Sequence, residues 1–387
     1  MSGSSILEHG FWTYINRNDK MKRRKFLTYT SSISAGLLSA PLISCGPKQS
    51  VGSSAKEKLG VALVGLGYYS TDLLAPALQL TKHCELRGIV TGSPEKVPIW
   101  QEKYGISDTH VYNYENMHEI ADNDDIDVVY IVVPTGLHAK YAVIAADAGK
   151  HVWCEKPMAL DVAQCQSIIN SCASNKVKLS IGYRCQHDPN MQEIIRLTKQ
   201  EKFGDVVALN AAAGYKGGVD DSWRFRKELG GGALYDMGVY TINALRHASQ
   251  MEPVAVINAK HKTERPEVFT EVDETTEYVL EFPGEVYASG KTSVGEDVNI
   301  LQVSCKDGSY MLSPMQTYLG LKGETSAGQI INYPVTNQQA TQMDNDAIAI
   351  KEDKNVLVPG IDGLRDIRIV NAIRKSASTG ARVEITS

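Results

Sequence analysis

The 387-residue chain sets 40 Lys and Arg against 45 Asp and Glu, a formal net charge of −5, so no basic field favours a nucleic-acid partner. With 43% hydrophobic and 22% charged residues it is composed like an ordinary globular protein, long enough for about two domains. It shows no repeats and no low-complexity tract, which argues against solenoid and fibrous classes.

Residues 1–20 carry no export feature and read as a start extension ahead of Met21. From Met21 the chain reads "MKRRKFLTYTSSISAGLLSAPLISCG": Arg23 and Arg24, then Phe26 and Leu27, then a mildly apolar run to Ile43. A twin arginine ahead of such a run is the bacterial signal that moves folded proteins out of the cytosol. "LISC", ending at Cys45, has the form of a lipoprotein box whose cysteine receives lipid. The expectation for residues 21–45 is therefore export by the twin-arginine route. The protein would then be periplasmic or a lipoprotein anchored to the membrane through Cys45. The apolar run is too short and polar to span a bilayer. Residues 46–58, "GPKQSVGSSAKEK", read as a flexible linker.

At residue 60 a strand pattern begins, Gly60 to Val64, and runs into the turn Gly65-Leu66-Gly67-Tyr68. Further apolar, β-branched runs follow at 85–90, 126–133, 151–154 and 178–183, separated by amphipathic stretches, notably 138–149 and 162–175. Strands alternating with helices predict a parallel, doubly wound Rossmann-type sheet over residues 59–182. After it the pattern changes to strands in succession joined by turns such as Pro283-Gly284 and Asp307-Gly308, with helices at about 232–248 and 363–378. Residues 183–387 are expected to form an α+β domain with a mostly antiparallel open sheet, one that binds substrate and mediates oligomerisation. The fold class is α/β with that second domain appended.

Gly65, Gly67 and Ser70 follow the first strand with the spacing of a dinucleotide turn. The first glycine makes a tight turn, the second admits a pyrophosphate, and the third small residue lets the helix pack on the strand. The next strand ends in Thr91, Gly92 and Ser93, then Lys96, with no carboxylate at its tip. An acid there would hold the ribose 2′-hydroxyl of NAD, whereas hydroxyls and a lysine suit the 2′-phosphate of NADP. NADP is expected, with NAD as the alternative. The six cysteines after Cys45 are scattered, with no metal-like spacing, so neither a metal nor a required disulfide is expected.

Chemistry is expected where the strands end. "HVWCEKPMAL" puts Glu155 and Lys156 immediately after a buried strand, at the edge that faces the ligand crevice. Asp236 and Tyr240, four apart in "GGGALYDMGVY", share one face of a helix. A phenol serves as a base near neutrality only if its pKa is lowered, and a neighbouring ammonium would do so. Lys156, Asp236 and Tyr240 are thus the candidate proton-handling group, against the plainer reading of an exposed i,i+4 pair.

The runs "VGLGYYS", "TGSPEK", "VYIVVPTGLHAKYA", "GKHVWCEKPMA", "IGYRCQHDP", "WRFRKELGGGALYDMGVYTIN" and "DGLRDIRIVNAI" resemble, in order, the glucose–fructose oxidoreductase / inositol dehydrogenase / MocA family, on its glucose–fructose oxidoreductase side. The resemblance implies that Lys156 contacts substrate and lowers the acid/base pKa, with Asp236 and Tyr240 at the catalytic helix positions. It further implies cofactor contacts from Thr91, Lys96, Tyr114, Pro134, Thr135, His138, Glu155, Arg184, Trp223, Arg224 and Tyr318. A homo-oligomer, dimer or tetramer, through the C-terminal sheet is implied as well. The chain departs from the pattern in having only the short linker 46–58 where glucose–fructose oxidoreductase has a long proline-rich arm.

These readings together describe an exported NAD(P)-dependent oxidoreductase that passes a hydride between a sugar carbon and a bound nicotinamide, oxidising one sugar and reducing another. Two alternatives stand beside it. One is an NAD-dependent glycosidase or lyase of the same fold, with transient ring-carbon oxidation and His187 or Asp188 as the extra acid/base. The other is a lipid-anchored sugar-binding protein whose nucleotide is structural.

Overall fold

In a computed structural model of the chain, which describes residues 56–217 and 222–386, the apolar runs of the first half lie side by side as parallel strands. The strands are β1 (Leu59–Val64), β2 (Cys84–Val90), β3 (Val111–Tyr112), β4 (Val128–Ile131), β5 (His151–Cys154) and β6 (Leu179–Ile181). Their order is β3-β2-β1-β4-β5-β6, with every pairing parallel. Between them run α1 (Ala75–Leu78), entered through a π-helical turn Tyr69–Leu74, then α2 (Val97–Tyr104), α3 (His138–Asp147) and α4 (Val162–Ser174). The start extension expected at 1–20, the export signal expected at 21–45 with Cys45, and most of the expected linker lie outside the described residues.

Every residue of β1 is buried because both faces of the sheet are covered. Ala62 and Val64 join α3 and α4 in one core, through residues such as Ala142, Ala145 and Ile168. Val61 and Leu63 face the other way, with Leu74, Leu78 and Trp100. Helix ends are closed by the side chains the sequence supplies: Asp161 accepts from Gln164 N at 2.8 Å to cap α4, and Gly105 closes α2 with a left-handed φ of 69°.

The second half adds α5 (Pro189–Lys199), β7 (Val206–Gly214), α6 (Val239–Ser249) and β8 (Ala255–Lys262), then β9 (Thr275–Phe282) and β10 (Val286–Ser293). After these come β11 (Val298–Cys305), β12 (Gly308–Leu312), β13 (Gly323–Thr325), β14 (Ile330–Ile331), α7 (Gln338–Lys351), α8 (Gly360–Thr379) and β15 (Val383–Glu384). The nine strands order as β14-β13-β12-β11-β7-β10-β9-β8-β15, antiparallel except where β7 meets β10. Burial alternates along β10, with Val286 and Ala288 inward and Tyr287 and Ser289 exposed, so one face packs and the other stays open.

Two helices tie the sheets together. α8 packs on α4 and β6 of the first sheet and on β8 of the second. α7, which the hydrophobic pattern did not predict, returns to the first sheet, where Ala340, Met343 and Ala347 join the core of Leu63 and Leu74. Among the described residues no helix is long and apolar enough to cross a membrane.

Candidate functional site

At the carboxyl ends of β1, β2, β4 and β5 a cavity of about 1030 Å³ opens toward the second sheet. Its near wall is the glycine turn. Gly65 has φ +93°, and a Cβ there would lie 2.8 Å from the Val132 carbonyl, so no other residue fits without strain. At Gly67 a Cβ would meet no heavy atom within 4 Å, because it would project into the cavity. The space kept clear there is the space a pyrophosphate needs. Ser70, the small third residue, is fully buried and donates to the Gly65 carbonyl at 2.5 Å, which ties the helix to the turn.

Beside it, Thr91, Gly92, Ser93 and Lys96 line the end of β2. Ser93 N donates to Thr91 Oγ1 at 3.0 Å, and Lys96 Nζ reaches over the glycine turn to the Leu66 carbonyl at 2.8 Å. Among the described residues, the only carboxylates lining the cavity are Glu155 and Asp236, and both belong to its other end. Tyr114, Pro134, Thr135 and His138 complete this wall, with Leu66 and Tyr68 on the turn itself. His138 is 1% exposed, and its Nδ1 and Nε2 face the Pro157 and Val133 carbonyls, each at 2.8 Å. It pins the β4 end to the β5 end, and burial lowers its pKa.

The β5 end carries the charges. Glu155 is buried and accepts from the Tyr130 hydroxyl at 2.7 Å and from Lys156 N at 3.2 Å. Burial raises its pKa, opposed by the Tyr130 hydrogen bond and the Lys156 ammonium. Lys156 Nζ donates to the Asp236 carbonyl at 2.8 Å and lies 3.9 Å from Asp236 Oδ1. Asp236 sits in the π-helical turn Leu234–Gly238 that leads into α6, a departure from regular helix of the kind that recurs at functional sites. Its Oδ2 accepts from Tyr215 at 3.0 Å and from Arg224 Nε at 3.2 Å. At 12% side-chain exposure Asp236 is no surface residue, and Tyr240 is 8% exposed, so the plainer reading of the i,i+4 pair is excluded.

Tyr240 meets two cations in different ways. Lys156 Nζ stands over its ring, 4.3 Å from the centroid. Arg184, on the turn after β6 and 1% exposed, donates from Nη1 to the phenolic oxygen and from Nη2 to Gln316 Oε1 at 3.2 Å. Arg184 was expected as a cofactor contact. It does not line the cavity but lies behind Tyr240, with its guanidinium 4.5 Å from the Tyr318 ring centroid. Burial pushes the Tyr240 phenol well above its ordinary value, and Arg184 is the main opposing influence. The cation bonded to the phenolic oxygen is thus Arg184, whereas Lys156 approaches the ring face.

Trp223, Arg224 and Tyr318 line the far side, as expected, together with Tyr69, Tyr215, Phe225, Phe269 and Gln316, which were not foreseen. Tyr215 follows directly on β7, so a strand-end rule would have found it; Phe269 and Gln316 lie in irregular segments that carry no such signal. His187 and Asp188 do not line the cavity. Asp188 is fully buried as the cap of α5, where it accepts from Asn190 N at 2.8 Å. The alternative glycosidase reading therefore lacks the acid/base assigned to it. Among the described residues no group of three metal-ligating side chains occurs, and all six cysteines are free and buried.

Comparison with known proteins places this geometry. Residues 59–183 match a family model described as "Oxidoreductase family, NAD-binding Rossmann fold", and residues 191–311 match one for the GFO/IDH/MocA C-terminal domain. The crystal structure of an aldose–aldose oxidoreductase from Caulobacter crescentus is 36% identical, with a TM-score of 0.81 over 84% of this chain and 99% of that one. A D-xylose 1-dehydrogenase [NADP(+)] from Haloarcula marismortui is 27% identical over 84% of this chain and 92% of its own. A levoglucosan dehydrogenase in complex with NADH and levoglucosan shares the fold at 21% identity and a TM-score of 0.74, covering 85% of this chain and 100% of that one.

Proposed function

Because the chain belongs to the GFO/IDH/MocA family of nicotinamide-dependent oxidoreductases, acting on the CH–OH groups of sugars, we propose that it oxidises one sugar and reduces another on a retained NADP. The observation that carries this reading is the pairing of a phosphate-sized opening at Gly67 with the Lys156–Asp236–Tyr240 group at the other end of one cavity. Gly65, Gly67, Thr91, Ser93 and Lys96 would hold NADP, which would supply the hydride transfer between the two sugars.

The protein's own residues handle the proton. In the reducing half, Tyr240 as a phenol donates to the acceptor's carbonyl oxygen. In the oxidising half it serves as phenolate, stabilised by Arg184, and takes the proton of the donor hydroxyl. Lys156 and Asp236 hold the sugar's oxygens beside it, and the Tyr215 and Arg224 contacts keep the Asp236 carboxylate pointed into the cavity. NADP is favoured over NAD by Lys96, Thr91 and Ser93 at the β2 tip, where no described residue adds a carboxylate to the cavity lining.

The proposal includes export through residues 21–45 with lipid on Cys45 and a periplasmic location, supported by Arg23-Arg24 and the run ending in "LISC". The two-sugar cycle suits that location, because little free nucleotide is available outside the cytosol to recycle the cofactor. The open face of the nine-stranded sheet, where Val207 and Tyr287 are exposed, is the surface offered for a homo-oligomer. The test is to add aldoses, ketoses and glycosides to the purified protein with no added nucleotide and to follow the absorbance of reduced nicotinamide. A rise with one sugar that a second sugar reverses is expected. Turnover only when free nucleotide is supplied would mark an ordinary dehydrogenase and overturn the internal cycle.

A further inference from the structure

Beside the apolar stripe of Ala340, Met343 and Ala347, the buried face of α7 carries a polar row. Gln338, Gln342 and Asp346, four apart and so in one row, are each 1% exposed or less, and Gln339 beside them is 2% exposed. Opposite them Tyr130, Trp153 and Ser180 stand side by side, since the register pairs Tyr130 with Trp153 and Trp153 with Ser180. The turn Arg184–His187 borders the same seam, with Asn345 Nδ2 donating to His187 Nδ1 at 3.2 Å. That bond leaves the His187 proton on Nε2.

Buried polar atoms without a protein partner concentrate here. They are the donors Trp153 Nε1, His187 Nε2 and Gln339 Nε2, and the acceptors Gln338 Oε1, Gln342 Oε1 and Asp346 Oδ1. A buried group of this kind is satisfied by ordered water, and a water needs two to four polar partners. Donors balanced by acceptors along one helix face meet that need.

One end of the row already reaches the cavity. Gln342 Nε2 donates to the Tyr130 hydroxyl at 3.1 Å, and that hydroxyl donates to Glu155 Oε1 at 2.7 Å. Glu155 lines the cavity beside Lys156. At the other end Asp346 accepts a single hydrogen bond, from Ser180 Oγ at 2.8 Å, and its second oxygen is free.

We propose that this seam holds a chain of buried waters that carries a proton between Glu155 and Asp346, so that Asp346 stores the proton released by the donor sugar until the acceptor needs it. The proposal rests on the sugar-oxidation reading above. The Tyr240 phenolate takes the proton of the donor hydroxyl and gives it up through a cavity water to the Glu155 carboxylate, which leaves Tyr240 a phenolate again. Once Glu155 holds that proton, the Tyr130 hydroxyl, which at rest donates to Glu155 Oε1, turns to the adjacent water. It releases its own proton there as it takes one from Glu155, and the last water protonates Asp346 Oδ1. Nothing is oxidised or reduced along the path, and Tyr130 ends neutral. Reduction of the acceptor runs the same hops backward.

Burial pushes the Asp346 carboxyl up to about 7, a value at which it can both take and give a proton near neutrality. The other titratable groups around the seam are the Cys84 thiol, pushed up to about 12 by burial, His187, lowered to about 3, and the Tyr69 phenol beside Tyr130 and Glu155, which burial raises. Asp188 lies beyond Gln338, whose Nε2 donates to its Oδ2 at 2.6 Å. Glu155 is the carboxyl at the far end of the chain.

The test uses the full protein with its bound nucleotide, slightly above neutral pH, in infrared difference spectroscopy as donor sugar is added. A protonated-carboxyl band should grow in step with reduced-nicotinamide absorbance, vanish when the acceptor sugar is added, and be absent from Asp346→Asn. Tyr130→Phe keeps the ring packed on Trp153, whose centroid is 5.7 Å away, and removes only the relay oxygen. It should slow the growth of the band several-fold and, like Asp346→Asn, remove the limb near neutrality from the pH profile of sugar oxidation. Sugar oxidation with no carboxyl change, or with the same band in Asp346→Asn, overturns the relay alone. No oxidation at all overturns the reading beneath it and the relay with it.

Discussion

Replacing Tyr240 with Phe separates the proton-handling role of that residue from its packing. The ring is buried in the core with Leu234 and Met237, and Phe fills the same space. What is lost is the phenolic oxygen, whose partner among the described contacts is Arg184. Arg184 keeps its bond to Gln316 at 3.2 Å, so the cost to folding is that of one charge-assisted hydrogen bond, about 1.5–3 kcal/mol. The cost to catalysis is larger. Removing a positioned general acid/base lowers kcat by roughly 10²–10⁴-fold, or about 3–5 kcal/mol of barrier. Sugar-driven reduction of the bound nicotinamide, followed by stopped-flow absorbance, should slow by that factor, with little change in the sugar concentration that gives half the effect. The wild-type rate should climb with pH, because burial holds the phenol protonated and oxidation needs the phenolate, whereas the variant should lose that climb. Oxidation within a few-fold of wild type, with the pH dependence intact, would refute the assignment and point to Lys156 as the base.

The remaining predictions concern the cofactor and the seam under α7. Lys96→Ala should shift the nucleotide released on denaturing the purified protein from NADP toward NAD, since one phosphate contact is worth about tenfold to a hundredfold in affinity; an unchanged ratio would place the 2′-phosphate elsewhere. For Asp346→Asn the sign follows from its folded pKa of about 7, above the ordinary 3.8. The native state keeps a proton that the unfolded chain has given up, so this contribution is present below the unfolded value and is lost as pH rises through about 7. The gap corresponds to about 4 kcal/mol, so denaturant melts should show Asp346→Asn gaining on wild type across that window and level above it. Parallel curves for the two proteins would mean that Asp346 is not a lone buried acid.

The parts legible in the sequence are those governed by local rules. An apolar run ends where glycine or charged residues interrupt it, so β5 falls at His151–Cys154 as predicted, ahead of Glu155 and Lys156, while β1, which stops at Gly65, begins one residue earlier, at Leu59. The glycine turn and the acid-poor β2 tip are local too, and their residues line the cavity because strand ends in such sheets face one crevice. The helix predicted at about 232–248 is present but begins as the π-turn Leu234–Gly238, a change of winding that residue spacing does not encode. α7 escaped notice for the opposite reason. "QQATQMDNDAIAIK" looks like a surface stretch because Gln338, Gln342 and Asp346 are polar, and the structure buries them against other polar groups. A hydrophobic pattern finds only helices whose buried face is apolar.

The relations that give the site its chemistry depend on how the two halves meet. Glu155 and Lys156 arrive from β5, Asp236 and Tyr240 from the second half, and Arg184 from the turn after β6. Which cation reaches the phenolic oxygen is decided by reach: the Lys156 head is held by the Asp236 carbonyl at 2.8 Å and is left over the ring, while Arg184 approaches from behind. The difference has a chemical consequence. An arginine stays charged at every working pH, so it stabilises the phenolate without competing for the proton. Lys156, whose pKa burial lowers against the pull of Asp236 and Glu155, remains able to exchange a proton with the sugar or with Glu155. One cation thus sets the charge of the Tyr240 oxygen, and the other stands between Tyr240 and the carboxyl at the head of the buried seam.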